Sequence, residues 1–382
     1  MTQLVTGDLI HQRYQIHRFL GNGAYAQVYL ARDLHSSSSD RHFSPTVSPA
    51  SSWVAIKSLP PCLNAKQRLL QRTEIGLHAR LSSHPNIIRL LKIIRTPSFA
   101  IEPSPGAVAM TTHLVLEYGP EGDLFNAITE RQLYLNQPTM IRHVFLQLIE
   151  AVRHCHRSGV YHRDLKSENI LVFDQGWTVK LGDFGLATTD PISKDYGCGS
   201  TFYFSPECQG DMDDQRLGYA TAPNDIWSLG IILINLTTGR NPWHRASSIH
   251  DSTFRMYQMD PSLLMTMLPT LSAPLHAILK RVLSIDPLQR MSLDELEAAI
   301  LACPSFFATQ PMMINTQQQQ QALPSPPTTP NRPFFFGGAL DGKKFGIKEE
   351  EDDEFAAALF SPLDTPDQHQ HLFLNRFSTL SI

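Results

Sequence analysis

Two short stretches near the amino terminus carry residues whose types and spacing suit phosphate chemistry. The first is GNGAYAQV, residues 21–28. Small residues on a turn let backbone N–H groups approach phosphate oxygens without an intervening Cβ. Ala26 replaces a third glycine, and no Gly-Lys-Ser/Thr follows, so neither a dinucleotide fingerprint nor a phosphate-binding loop is complete. A hairpin covering phosphates and an ordinary glycine-rich turn both fit. The second stretch is Val54-Ala55-Ile56-Lys57, which puts one ammonium on an apolar strand. A lone buried charge is costly and calls for an anionic partner, for which Glu74 is the obvious carboxylate. A surface lysine on an edge strand fits the same tetrapeptide.

The surrounding periodicity supplies the elements that would position these residues. Residues 14–21 and 26–33 alternate apolar and polar on either side of the glycine turn, which predicts an antiparallel hairpin. WVAIKSL is a third strand, 65–82 has helical spacing, and IIRLLKII and THLVLEY are two more strands. From Leu124 the period changes to helical. Helices are expected over 124–128, 140–157, 225–236, 275–283 and 293–301, the 225–236 segment being apolar on nearly all sides and therefore buried.

Composition separates this body from two other materials. The chain has 382 residues, 32 Lys/Arg and 36 Asp/Glu, a net charge of −4 that excludes a generally basic nucleic-acid binder. Nine of the acidic and five of the basic residues lie after residue 305, so residues 1–305 are formally neutral. The insert at 34–52 is Ser-rich and breaks all periodicity, as a surface loop does. Residues 307–382 run through five Gln, a Pro-rich stretch, three Phe at 334–336 and EEEDDE at 349–354. That mixture cannot bury a continuous apolar face, and a disordered tail is expected. Ten of the twenty Phe lie after residue 305, which suggests short docking motifs. Five scattered cysteines with no CxxC spacing point to reduced thiols in an intracellular protein. No signal pattern or apolar run long enough to span a bilayer occurs, so a soluble protein without membrane or nucleic-acid partners is expected.

A third set of residues settles the chemistry. His162-Arg163-Asp164-Leu165-Lys166-Ser167-Glu168-Asn169 precedes Asp183-Phe184-Gly185 and then Ser205-Pro206-Glu207. Any one element occurs by accident. The order glycine-rich loop, VAIK, HRDLxxxN, DFG and SPE is the motif set of eukaryotic protein kinases, which the chain resembles from about residue 14 to 306. The resemblance implies an α+β, two-lobed protein kinase fold. Its amino-terminal lobe, 14–118, would be a small antiparallel sheet with one main helix, and its carboxyl-terminal lobe, 119–306, larger and mainly helical.

The resemblance also implies roles, within an ATP- and Mg²⁺-dependent enzyme. Lys57, held by Glu74, would bind the α- and β-phosphates, and Asp164 would orient the attacking hydroxyl and accept its proton. Lys166 would steady the transferred phosphoryl group. Asn169 and Asp183 would bind Mg²⁺ through hard oxygens. Leu20, Gly21 and Gly23 would cover the nucleotide, Val28, Ala55 and Leu171 would sandwich the adenine, and Leu116 would close the pocket's rear. The Glu117–Gly119 backbone would supply the adenine hydrogen bonds, with Gly119 beginning the second lobe. Asp225 would anchor the catalytic loop and Arg290 would pair with Glu207.

DLKSEN with Lys166, and Ser200 near the catalytic aspartate, resemble the serine/threonine branch. The EIGLHARLSSHPNII and GCGSTFYFSPE segments are similar to fungal kinases of nutrient response and sexual-differentiation control. A pseudokinase-type scaffold is the alternative, opposed by intact Lys57, Asp164, Asn169 and Asp183; a small-molecule kinase is opposed by the SPE segment and Arg290. His78 stands where relatives place an aliphatic residue, either as a packed neutral imidazole or as a pH-sensitive element. Arg163 is of the type that pairs with a phosphorylated activation segment. Thr188, Thr189, Ser193 and Tyr196 are candidate acceptors, while Asp190 or Asp195 could supply the charge instead. The resemblance implies that Asp123 faces either the ribose or a basic residue of the substrate, and Glu121 and Asp123 are expected to favour Arg or Lys upstream of the target hydroxyl. Ser44, Ser48, Ser325, Thr329, Ser361 and Thr365 precede Pro and suggest upstream proline-directed kinases. A monomer acting on protein substrates in the cytoplasm, the nucleus or both completes the expectation.

Overall fold

The computed structural model describes residues 4–23, 26–35, 52–98, 109–211 and 217–308. The insert at 34–52 and the tail at 307–382 lie almost wholly outside these residues, as do all six Ser/Thr-Pro sites.

Alternating residues build the first lobe. Strands β1 (Leu9–Ile10), β2 (Tyr14–Asn22), β3 (Gln27–Asp33), β4 (Trp53–Leu59), β5 (Leu90–Pro97) and β6 (Met110–Glu117) form one antiparallel sheet in the order β1-β2-β3-β4-β6-β5. Period two puts Tyr29, Ala31, Val54, Ile56 and Val115 into one apolar cluster, while Val28, Leu30, Ala55, Leu59, Leu114 and Leu116 enter another. Lys57 shares its face with Ala55 and Leu59, and its Cα partners are Val28 on β3 and Leu114 on β6. The alternation that buries Ala55 therefore also aims Lys57 at the second lobe.

Helix α1 (Ala65–Leu81) starts at Asn64, whose side chain accepts from Gln67 N–H at 2.9 Å. Ile75, Leu77, His78 and Leu81 are its buried residues, whereas Leu69 and Leu70 near its start are exposed.

The second lobe is mainly helical. It comprises α2 (Leu124–Thr129), α3 (Pro138–Arg157), α4 (Thr221–Thr238), α5 (Ser252–Met259), α6 (Leu263–Met267), α7 (Ala273–Val282) and α8 (Leu293–Ala302). Two antiparallel strand pairs accompany the helices, β7 (Ile170–Phe173) with β8 (Thr178–Leu181), and β9 (Ile192–Ser193) with β10 (Tyr219–Ala220). Helix α4 is buried along nearly its whole length and lies at the centre of the largest apolar cluster. Arg290 donates to both carboxylate oxygens of Glu207, at 2.6 and 3.1 Å, and its guanidinium lies 5.0 Å from the Trp227 ring centre. The five cysteines are free thiols. Among the described residues no helix is long and apolar enough to cross a membrane.

Candidate active site

The two lobes meet at a three-residue ion cluster. Lys57 Nζ stands 2.5 Å from Glu74 Oε1 and 2.8 Å from Asp183 Oδ1, joining β4, α1 and the segment after β8. Burial alone would push the ammonium down, but Asp183 and Glu74 outweigh it and hold Lys57 above its ordinary value. Asp183 is likewise buried, and Lys57 keeps its carboxyl below the usual range in spite of that. Asp183 has φ of 55°, in the left-handed region, a strained conformation maintained by these contacts and the Gly185 N–H at 3.3 Å.

Across the cleft, Asp164 is 4% exposed, and its two oxygens differ. Oδ2 accepts from Lys166 Nζ at 2.8 Å and from Asn169 Nδ2 at 3.1 Å. Oδ1 is buried and has no hydrogen-bond partner, and the same holds for Asn169 Oδ1. Buried polar atoms without partners cost free energy, so these two oxygens mark where ligand atoms belong. Lys166 Nζ also donates to Ser200 Oγ at 2.9 Å, which ties it to the activation segment.

The loop carrying Asp164 is fixed from below. Asp225, fully buried at the start of α4, accepts from the backbone N–H groups of His162 and Arg163, each at 2.9 Å. His156 Nε2 lies 2.9 Å from Asp225 Oδ2. Phe184 packs between two imidazoles, with ring centres 5.0 Å from His78 and 5.1 Å from His162. His78 Nε2 is 2.7 Å from the Ile88 carbonyl, and burial pushes its pKa down to about 4. It is the neutral, packed imidazole of the two alternatives.

The nucleotide-lining residues form a continuous apolar surface. Leu20, Val28, Ala55 and Leu116 belong to one buried cluster, and Leu171, Tyr118 and Phe173 pack against it. Ala55 pairs with Leu116 in the β4–β6 ladder, and Gly21 with Val28 in the β2–β3 ladder. Gly23 N–H donates to Ala26 O at 2.7 Å, which closes the glycine turn. Glu117 ends β6, and Gly119 follows against Leu171.

Mg²⁺ takes oxygen ligands and is usually held by one or two carboxylates together with substrate phosphates. Among the described residues there is no cluster of three His, Cys, Asp or Glu side chains that would hold a metal alone. The ionised Asp183 and the unpartnered Asn169 Oδ1 fit such a shared site.

Three features escaped the sequence reading, and one expectation needs correcting. Gly199 has φ of 113°, and a Cβ there would lie 2.6 Å from Arg163 O and 3.2 Å from Asp164 Oδ1. Only its place beside Ser200 could have drawn notice. Phe173 packs under the glycine of the linker, and its spacing of two from Leu171 was the available signal. Glu168 is half-buried, its carboxyl is raised by desolvation, and it lies near enough to Asp123 to raise that group too. Glu121 is not available to a substrate cation, because it pairs with Arg131 at 3.2 Å and accepts from Gln175 N–H at 2.6 Å. Of the two candidate acids facing Arg163, the structure uses Asp195, at 3.0 Å, and leaves Asp190 exposed.

A protein kinase domain profile matches residues 14–300. Among curated proteins, the negative regulator of sexual conjugation and meiosis of Schizosaccharomyces pombe is 42% identical over 319 residues, covering 79% of this chain and 62% of that protein. Serine/threonine-protein kinase VHS1 of Saccharomyces cerevisiae is 35% identical over 257 residues, covering 64% of this chain and 52% of that protein. Serine/threonine-protein kinase ksp1 of Schizosaccharomyces pombe is 34% identical over 295 residues, covering 76% of this chain and 56% of that protein. The chain thus spans between 52% and 62% of the length of these relatives.

Proposed function

Since the chain belongs to the protein kinase family, we propose that it transfers the γ-phosphate of ATP to serine or threonine hydroxyls of protein substrates. The observation that carries this reading is the pairing of an assembled Lys57–Glu74–Asp183 cluster with two buried, unpartnered oxygens on Asp164 and Asn169. Phosphoryl transfer asks for positioning and charge neutralisation more than for covalent chemistry, and these groups supply both.

In this reading Lys57 binds the α- and β-phosphates. Asp164 receives the substrate hydroxyl on Oδ1, since Oδ2 is occupied by Lys166 and Asn169, and takes its proton as the phosphoryl group transfers. Lys166, between Asp164 and Ser200, places its ammonium beside the reacting hydroxyl and steadies the γ-phosphoryl group. Asn169 and Asp183 would hold Mg²⁺, which when bound neutralises phosphate charge. The lining from Leu20 to Leu171 encloses the adenine, with the linker backbone beside it.

Phosphate transfer from ATP to a Ser/Thr peptide library, measured with the unmodified chain and with Asp164→Ala, tests the assignment. Transfer should fall by at least about a hundredfold in the variant. Equal transfer by both proteins removes the reading. The name of the 42%-identical relative, a negative regulator of sexual conjugation and meiosis, further supports a role in controlling mating or meiosis. Rescue of fission yeast lacking that relative, lost with Asp164→Ala, would test it. The six Ser/Thr-Pro sites are proposed as targets of proline-directed kinases, to be checked by phosphosite mapping.

A further inference from the structure

The carboxylate of Glu117 stands where the chain leaves the first lobe and is held from both sides of that junction. On the first-lobe side, Oε2 is 3.4 Å from the Arg89 N–H, while Glu117 N–H donates to Arg89 O at 2.9 Å. On the other side, Oε1 accepts from Lys180 Nζ at 2.6 Å, and Lys180 belongs to β8 of the second lobe. The Lys180 and Glu117 side chains are 19% and 20% exposed, so their attraction is only partly screened by water.

The strand pair β7–β8 gives Lys180 a defined origin. Lys180 lies opposite Leu171 in the ladder, and its ammonium stands 5.0 Å from the centre of the Phe173 ring, within range of a cation–π attraction. Phe173 and Leu171, two apart on β7, both pack against the apolar cluster that holds Val28, Ala55 and Leu116. A Cβ at Gly119 would lie 3.1 Å from Leu171 Cβ and 3.4 Å from Phe173 Cζ, so the linker runs directly over these two side chains. The linker therefore rests on Phe173 and Leu171 and is pinned at its entrance by Lys180. Neither Lys180 nor the Glu117 carboxylate has a part in the chemistry described above.

We infer that Lys180 is a positioning residue for nucleotide turnover: its ion pair with Glu117 fastens the linker to the second lobe and restrains the lobe opening through which nucleotide leaves. The inference rests on the reading that nucleotide binds between the lobes. A contact present in the closed arrangement and lost on opening shifts the equilibrium toward closure by its own free energy. Opening and product release limit turnover in many enzymes, so the pair is expected to act on release more than on the transfer step.

The test is the dissociation rate of a fluorescent ADP analogue from the full chain, measured by stopped flow beside steady-state kinetics. Lys180→Met, which keeps the apolar stem over Phe173, and Glu117→Gln should each speed release by about three- to tenfold. KM for ATP should rise while kcat is kept or raised. Lys180→Arg should restore the slow rate, and the double variant should be no faster than either single one, since both remove the same interaction. Higher salt should speed release more from the unmodified chain than from Lys180→Met. Rates unchanged in the single variants, or effects that add in the double, overturn the inference. Should Lys180→Met fail to fold, the near-isosteric Glu117→Gln carries the same test. An unmodified chain that binds no nucleotide defeats the kinase reading, and the inference with it; a chain that binds normally while its variants behave alike defeats the inference alone.

Discussion

Arg163 and Asp195 form an ion pair at 3.0 Å, and the same guanidinium donates to Ser193 Oγ at 2.9 Å and to Leu186 O at 2.8 Å. The activation segment is also laddered to β10, with Ser193 opposite Tyr219. Its order is thus reached with the chain's own carboxylate, where a phosphate would otherwise bring the negative charge. Chain treated with phosphatase should keep most of its activity. Because Asp195 is 68% exposed, Asp195→Asn should lower activity only about two- to fivefold. Activity that appears only after treatment by another kinase would contradict this. Ser193 is a poor acceptor in this arrangement, being 5% exposed with its hydroxyl engaged.

Acid should weaken the fold through His78. Burial drives the depression to about 4, and the neighbouring Lys57 and His162 add to it against the Ile88 carbonyl and Asp183, whereas the unfolded chain titrates near 6.5. Between those values the unfolded chain binds more protons, so stability falls as pH drops from 6.5 toward 4, by about 1.4 kcal/mol per unit. Above 6.5 the imidazole is neutral in both states and contributes no slope. Urea unfolding at pH 7 and pH 5 should show a loss in the unmodified chain that exceeds the loss in His78→Gln by roughly 2 kcal/mol. Equal losses would assign the acid sensitivity to other groups, His113 among them.

Long periodic segments carried their own structure openly. Strands β2 and β3 announce themselves by alternation, α3 by its stripe and α4 by being apolar on nearly all sides, because each buries enough apolar surface for the pattern to show. The two-residue strands β1, β9 and β10 offer no period to read, and β9 and β10 pair with each other across a long stretch of chain. Helix α5 shows no legible stripe, since only Phe254 and Tyr257 of its eight residues are buried, with Met256 and Met259 left exposed. Within the site, the order of motifs pointed to Lys57, Asp164 and Asp183, although residues 126 apart meet only through the fold. Lys180 gave no signal, since a lysine on a strand reads as surface. The tie between Glu121 and Arg131 was equally silent, because it depends on how the chain turns around α2.

Gly199 is placed so that no other residue fits beside the catalytic loop. A methyl group there would meet Arg163 O at 2.6 Å, Phe204 Cε1 at 2.9 Å and Asp164 Oδ1 at 3.2 Å, at a φ of 113°. Backbone cannot yield as a flexible side chain can, so Gly199→Ala should displace the activation segment from Asp164. Phosphate transfer should fall by about a hundredfold or more with nucleotide binding largely kept. A variant with unchanged kcat would show that the loop accommodates the methyl group.

Asp123 and Glu168 form a pair of acids suited to a basic side chain of the substrate. Burial raises both, and for Asp123 the result is about 6, with Glu168 adding to the rise against the Asn126 N–H. An incoming cation stabilises the anionic form of a carboxyl raised in this way. Peptides with Arg or Lys upstream of the acceptor hydroxyl should therefore be preferred. Their KM should fall as pH rises through 6, since Asp123 is neutral below that value and charged above it. Asp123→Asn and Glu168→Gln should each raise KM for a basic peptide by about tenfold, the scale of one charge-assisted contact, while leaving a neutral peptide unaffected. Glu121→Gln should leave both unchanged, because that carboxylate is occupied by Arg131 and Gln175. A peptide screen without preference for basic residues would refute the pairing, and a loss in Glu121→Gln equal to that in Glu168→Gln would move the cation site toward the linker.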